Sequence, residues 1–289
     1  GGIIEPLMPS TSQAYRDSDE MEAALAYLIP SWCYSRIHNP TVFYLEETLA
    51  LLESHGAPVR ASALCTSSGM AAIKQAVEPL VSVLRGGSVN FVASAHVYGG
   101  TFQLFNLRMR ERGAEVRWVA EPWDLDGWLP LIDDSTRFLY LEMPSNPQQS
   151  CGDIEALAAV AHERGIPLIV DATVATPALM RPLCHGADIV VHSLTKTVGS
   201  GGTAVGGAII AIDKPFRIGD RVRVDTFTGD VVNLGPRSTR IKTLDNQIIT
   251  IPNSTVTSSV VINYSKPDKT LKIFDGLRHE TMNESPGKR

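Results

Sequence analysis

Residues 187–202 read ADIVVHSLTKTVGSGG. Ile189, Val190 and Val191 lead straight into His192, Ser193, Leu194, Thr195 and Lys196, and a glycine-rich turn follows. An apolar run punctuated by glycines predicts a short buried strand that ends at this pentapeptide. A lysine between two hydroxyl residues at such a strand end is a poor choice for packing. Burial would disfavour its charged form, lower its pKa and leave the amine nucleophilic, which suits covalent capture of an aldehyde cofactor. A solvated lysine at a strand end is the plainer reading of the pentapeptide taken alone.

Upstream, the pattern alternates. The spacing of apolar residues predicts helices over 19–28, from Thr41 through Leu52, and over 70–84, 98–112, 123–131 and 154–164. Between them, strands are predicted over 63–65, 89–93, 115–119, 137–142 and 168–171. Strands alternating with helices imply an α/β fold, a mostly parallel sheet covered on both faces. Ligands of such sheets sit outside the carboxyl ends of the strands.

The chemistry-bearing residues fall at those ends. Thr66–Met70 (TSSGM) sits between a strand and a helix start, where backbone N–H groups, Gly69 and the hydroxyls of Ser67 and Ser68 can cradle a phosphate; a plain helix cap reads the same way. Tyr98-Gly99-Gly100-Thr101 offers an aromatic face beside glycines that admit a flat ring. Pro144 and Pro147 fix a loop around Asn146, whose amide can reach a ring hydroxyl. Asp171-Ala172-Thr173 closes the strand IPLIVD. A buried aspartate needs a positive partner, and a protonated pyridine nitrogen is one; a helix N-cap is the alternative. Together these motifs describe one cofactor, pyridoxal 5'-phosphate. Its phosphate would meet Ser68, Gly69, Met70, Ser193 and Thr195, its ring Tyr98, its nitrogen Asp171, its oxygen Asn146 and its aldehyde carbon Lys196. Thr173 belongs to the same cofactor-binding set, and Lys196 and Tyr98 are the candidate catalytic residues.

Bulk properties restrict the rest. The chain has 289 residues, 44% hydrophobic and 20% charged, with a net charge of −5, so no global basic field points to nucleic acid. Cys33, Cys65, Cys151 and Cys184 have neither disulfide-framework nor metal-ligand spacing, which fits a reducing, cytoplasmic compartment. The N-terminal residues lack a signal-peptide pattern, and no apolar run approaches the roughly 20 residues of a membrane helix. Residues 1–210 are net acidic and residues 211–289 net basic, which suggests two units.

Seven segments, PLMPSTSQAY, YSRIHNPT, SSGMAA, YGGT, EMPSNP, IVDATVATP and HSLTK, are spread through residues 6–210. With them the first unit resembles the large domain of the Cys/Met-metabolism, or transsulfuration, family of pyridoxal-phosphate enzymes. The resemblance implies a three-layer α/β large domain, and elimination or replacement at the β or γ carbon of a small amino-acid substrate by a lyase or transferase. It also implies a homo-oligomer in which Tyr34 and Arg36 reach the phosphate of a neighbouring subunit. The chain departs from the family pattern at Ala172, where asparagine is usual, and at Thr197 and the Gly-Ser-Gly-Gly run after the lysine.

From Ile212 the texture changes to short alternating strands, RVRVD, TGDVVNLG, STRIKTLD, QIITIP and SSVVINYS, punctuated by Gly-Asp and Asp-Asn turns. This predicts a small antiparallel barrel. Residues 213–265 resemble the Sm-like β-domain of small-conductance mechanosensitive channels. The expected organisation is therefore a cofactor domain over 1–210 without its smaller substrate-binding domain, a small β-barrel over 211–271, and a polar tail over 272–289. On that reading the chain is a chimaera joined near 207–211, impaired in turnover for want of the substrate-carboxylate arginine. The alternative is a non-catalytic oligomerising module without membrane insertion.

Overall fold

The apolar runs of the first unit form seven strands: β1 (Ala61–Thr66), β2 (Val89–Ser94), β3 (Ala114–Val119), β4 (Thr136–Glu142), β5 (Leu168–Asp171), β6 (Ile189–His192) and β7 (Gly207–Ile212). The computed structural model describes residues 6–25, 32, 34–36, 39–57, 60–81, 89–199, 201–212, 220–224, 226–234, 238–252 and 261–264. Cys33 and the tail over 272–289 lie outside the described residues.

The strand order is β1-β7-β6-β5-β4-β2-β3. β2 to β6 run parallel, whereas β7 is antiparallel to both of its neighbours, β1 and β6. The sheet is thus mostly parallel, with one reversed strand. That reversal brings the ends of β1 and β6 to the same edge, which matters for the site.

Alternation along the strands makes two cores, one per face. Phe91, Phe138, Tyr140, Ile169, Ile189 and Val191 face α3 (Gly69–Val81) and the helix that begins as α4 (Gly99–Gln103). Leu139, Leu141, Val170 and Val190 face the opposite way, with Leu49 and Ala50 of α2 (Pro40–Ser54) and Leu157 and Ala158 of α5 (Ile154–Glu163). On the first face Phe91 stacks on Phe138 at 4.6 Å, and Phe105 meets Tyr140 edge-on at 5.0 Å. Fully buried aromatics of this kind stabilise by about 1.5–3 kcal/mol each.

Helix boundaries follow local chemistry. α1 spans Ser18–Leu25, and residues 26–28 of the predicted helix lie outside the described residues. Asn39 caps α2 by accepting from Thr41 N and Val42 N, and its amide donates to Met8 O at 3.0 Å. This ties the N-terminal segment to the helix. The helix predicted over 98–112 is α-helical only to Gln103 and continues as a π-helix over Leu104–Met109. The helix predicted over 123–131 is two short 3-10 turns, Leu125–Gly127 and Leu129–Leu131. There the Asp124 carboxylate accepts from Asp126 N, and Trp128 is buried with its indole N–H on Pro122 O. Asp124 thus caps the first turn, and Pro130, which has no N–H to donate, opens the second instead of continuing one helix.

Residues after 220 form a second sheet of β8 (Arg221–Val224), β9 (Phe227–Leu234), β10 (Ser238–Lys242), β11 (Ile248–Pro252) and β12 (Val261–Asn263). Its order is β11-β10-β9-β8-β12, antiparallel throughout, around a core of Val222, Val224, Val231, Ile241 and Ile251. Among the described residues β11 and β12 do not pair, so they show the antiparallel sheet expected from the alternation but not its closure into a barrel. No helix among the described residues is long and apolar enough to cross a membrane.

Candidate functional site

Five loops converge at the carboxyl ends of β1, β2, β4, β5 and β6, on the α3/α4 face. Asp171 ends β5 and is 6% exposed. Burial raises its carboxyl pKa; the Thr173 hydrogen bonds, His192 and Tyr140 oppose this only in part. Thr173 N donates to Asp171 Oδ1 at 3.0 Å, and the Thr173 hydroxyl accepts from Ser193 N at 2.8 Å. One threonine thus couples the aspartate of β5 to the first residue after β6. Tyr140 O–H reaches the other oxygen, Oδ2, at 3.4 Å.

The start of α3 closes on the same place. A Cβ added at Gly69 would lie 2.5 Å from Ser193 Cβ and 2.9 Å from Ser193 Cα, so only glycine permits this approach. The helix start and Ser193 form one concave edge. Ser68 Oγ accepts from Ala71 N at 3.1 Å, so this hydroxyl serves as the helix cap. Met70 follows Gly69 into the first turn, and its sulfur lies near the Cβ position of Gly100. Gly69→Ala must displace backbone, and we expect it to destabilise the cofactor-free protein by about 1–3 kcal/mol. Urea unfolding checks this; unchanged stability would show that helix start and turn are not in contact.

The residues after β6 turn away from the sheet. Lys196 N donates to Ser193 O at 3.2 Å, and the Thr195 hydroxyl both donates to Gly206 O and accepts from Gly206 N. Thr195 therefore pins the returning chain, and an open hollow of about 500 Å³ is lined by Thr195, Lys196, Thr197, Gly201 and Gly202. Lys196 itself is exposed, so the burial expected of it is a misreading. β6 ends one turn earlier, and the polar backbone satisfied within that turn lifts the lysine clear of the core.

Tyr98 caps α4 and is half-exposed. A Cβ at Gly100 would meet its ring atom Cε1 at 2.6 Å, so the ring folds back across the helix start. Asn146 is exposed in the loop after β4. A residue that the sequence reading left without a role joins these two loops. Glu142, the last residue of β4 and 4% exposed, accepts from Tyr98 N at 2.7 Å through Oε2 and from Asn146 N at 2.8 Å through Oε1. Burial, then the neighbouring Asp171, pushes its carboxyl up to about 7.

Tyr34 and Arg36 stand apart from this cluster. Tyr34 bridges Ser12, and the Arg36 guanidinium lies 5.3 Å from the Tyr34 ring centroid, both side chains being exposed. No hydrogen bond or ion pair among the described residues ties them to Asp171, Ser193 or Lys196. On the far side of the sheet, His192 Nε2 and Glu53 Oε2 are 3.0 Å apart with both side chains fully buried, clamping α2 to the end of β6.

The cluster suits a phosphorylated, cationic aromatic cofactor. A helix start and the Ser193 hydroxyl, which makes no hydrogen bond among the described residues, suit phosphate. The buried Asp171 carboxylate has no ion-pair partner among the described residues and suits a ring cation. No group of three or more His, Cys, Asp or Glu side chains suited to a metal ion occurs among the described residues.

Comparison with known proteins gives the same answer. Over 208 residues the chain is 38% identical to homocysteine synthase of Schizosaccharomyces pombe, covering 71% of this chain and 46% of that protein. It is 38% identical over 205 residues to O-acetyl-L-homoserine sulfhydrylase of Leptospira meyeri, covering 71% and 44%. A crystal structure from Campylobacter jejuni, assigned as an O-acetylhomoserine (thiol)-lyase and carrying N'-pyridoxyl-lysine-5'-monophosphate, aligns with a TM-score of 0.65 at 36% identity over 74% of this chain and 50% of that one. The chain thus spans about half the length of the relatives it matches. The family described as Cys/Met metabolism PLP-dependent enzyme matches residues 1–236, running past residue 210 and into β9. With that match over most of its length, the chain belongs to the Cys/Met metabolism family of PLP-dependent enzymes.

Proposed function

We propose that the chain acts as a pyridoxal-phosphate enzyme of the sulfhydrylase type, replacing the acetoxy group of an O-acetylated homoserine with sulfide. The reading rests above all on the Asp171–Thr173–Ser193 hydrogen-bond chain, which couples a buried acid to the lysine-bearing turn. The names of the relatives supply the substrate class.

Pyridoxal phosphate, when bound, supplies the electron sink that lets a proton leave the amino-acid carbon beside the carboxylate. The chain's own residues do the rest. Asp171 would hold the ring nitrogen and favour its protonated form. The helix start at Ser68, Gly69 and Met70 and the Ser193 and Thr195 turn bind phosphate. Thr173 keeps that turn in register with Asp171. Tyr98 would cover the cofactor ring, and Asn146 would hold its ring oxygen. Lys196, exposed beside the hollow, is free to attach the cofactor and afterwards to take up and return a proton at the substrate carbon. Tyr34 and Arg36 bind the phosphate of a second copy, making the working form a homo-oligomer.

The test is stoichiometric. With cofactor, O-acetyl-L-homoserine and sulfide, the protein should release acetate and homocysteine in equal amounts, the carbon–oxygen bond breaking as the carbon–sulfur bond forms. Cofactor-loaded protein that yields neither product would reject this substrate while leaving the cofactor assignment standing.

The antiparallel order of β8 to β12 favours a second role for residues 211–271, as a self-associating module akin to the β-domain of mechanosensitive channels. Sedimentation separates the two: a dimer or tetramer supports assembly through the cofactor domain, and a larger closed ring supports assembly through the second sheet.

A further inference from the structure

Two loops reach the ring position from different strands. Tyr98 lies at the end of the loop after β2, and Asn146 lies in the loop after β4. The His96 ring and the Ser150 hydroxyl join the two loops at 3.0 Å. Both loops are also held by backbone N–H groups on the single carboxylate of Glu142, at 2.7 and 2.8 Å. Charge-assisted bonds of that length to a buried acceptor are the stronger class, and a buried donor left without one is costly.

The carboxylate sits where it can transmit position. Glu142 pairs in register with Asp171 on β5, and strand alternation puts both side chains on the α3/α4 face. Tyr98 is therefore fixed from two sides: its backbone by Glu142 and its ring by the notch at Gly100. Asp171 has no ion-pair partner among the described residues, and a bound ring cation would supply one. The acid of β4 thus anchors the residue that covers the ring, while the acid of β5 faces its nitrogen.

We infer that Glu142 is a positioning residue that sets the angle of the Tyr98 ring over the cofactor through the Tyr98 backbone N–H. This rests on the cofactor assignment above. Glu142 touches neither cofactor nor substrate and acts through Tyr98.

Glu142→Gln keeps the shape of the side chain but turns one acceptor into an amide donor facing an N–H group. The experiment is a pyridoxal-phosphate titration followed by absorbance, with visible circular dichroism of the bound cofactor, on wild type, Glu142→Gln, Tyr98→Ala and the double variant. Glu142→Gln should weaken binding roughly tenfold and reduce the induced dichroism. In the Tyr98→Ala background the same change should cost less than about twofold, because the group it positions is gone. Wild-type affinity and dichroism in Glu142→Gln would overturn the inference, as would a tenfold loss that persists in full without Tyr98. A wild type with no spectral response would instead overturn the cofactor assignment. Should Glu142→Gln fail to fold, Gly100→Ala pushes the same ring from its other side: lost dichroism with a folded protein supports the inference, and unchanged dichroism counts against it.

Discussion

Lys196→Ala, titrated with pyridoxal phosphate, forms no covalent cofactor band, and its turnover falls by on the order of a thousandfold or more. The fold is expected to survive. The Lys196 side chain is exposed and makes no ion pair among the described residues, so its truncation should change stability by no more than about 0.5 kcal/mol. The phosphate cradle at Gly69 and Ser193 and the acid at Asp171 are untouched, so the cofactor still binds, but weakly and without covalent attachment. Loss of the band with retained thermal stability separates a chemical role from a packing one. A variant that keeps the wild-type spectrum would place the attachment elsewhere.

Asp171→Asn should move stability and binding in opposite directions. The carboxyl is buried and its pKa is raised, so the folded, cofactor-free protein holds this proton more tightly than the unfolded chain does. The destabilisation is absent at pH values below the unfolded pKa and grows as pH rises through the folded one. Glu142 adds a second such contribution between its ordinary value of 4.5 and its folded value of about 7, on the order of 3 kcal/mol once complete. The cofactor-free protein should accordingly lose stability from about pH 4.5 to 7. Asp171→Asn removes a carboxyl whose charged form burial disfavours, while its amide oxygen still accepts from Thr173 N, so the empty protein should lose less stability than wild type as pH rises. The ring nitrogen loses its counter-charge at the same time, and cofactor affinity should fall by roughly a hundredfold or more. Denaturant unfolding as pH rises and a cofactor titration check both signs. A variant that is less stable and binds as well as wild type would mean that Asp171 is a structural cap.

The strand ends were legible because each breaks a simple rule. Asp171 follows a wholly apolar strand, Lys196 follows another, and Gly69 opens a helix, where glycine is otherwise unfavourable. Glu142 breaks the same rule as Asp171, closing the buried strand TRFLYLE, yet the sequence reading gave it no role. The cost of burying its charge was signal enough, but its partners are backbone N–H groups and no residue type announces those. Glu53 and His192 escaped notice similarly, because a pair 139 residues apart in sequence has no spacing to read. The reversed direction of β7 is equally silent, since a buried strand shows the same apolar run in either direction. The exposure of Lys196 depends on a turn fixed by contacts between Thr195 and Gly206, which neither residue reveals alone. The helix predicted over 123–131 is two short turns because Asp124 starts the first at Leu125 and Pro130, with no N–H to donate, opens the second.

The most direct test of the account is chemical mapping of the attachment site. Protein incubated with pyridoxal phosphate, reduced with borohydride, digested and analysed by mass spectrometry should carry a single pyridoxyl group on the peptide containing Lys196. A label distributed over Lys74, Lys242 and other surface lysines, with none enriched at Lys196, would contradict the assignment of this turn as the cofactor site.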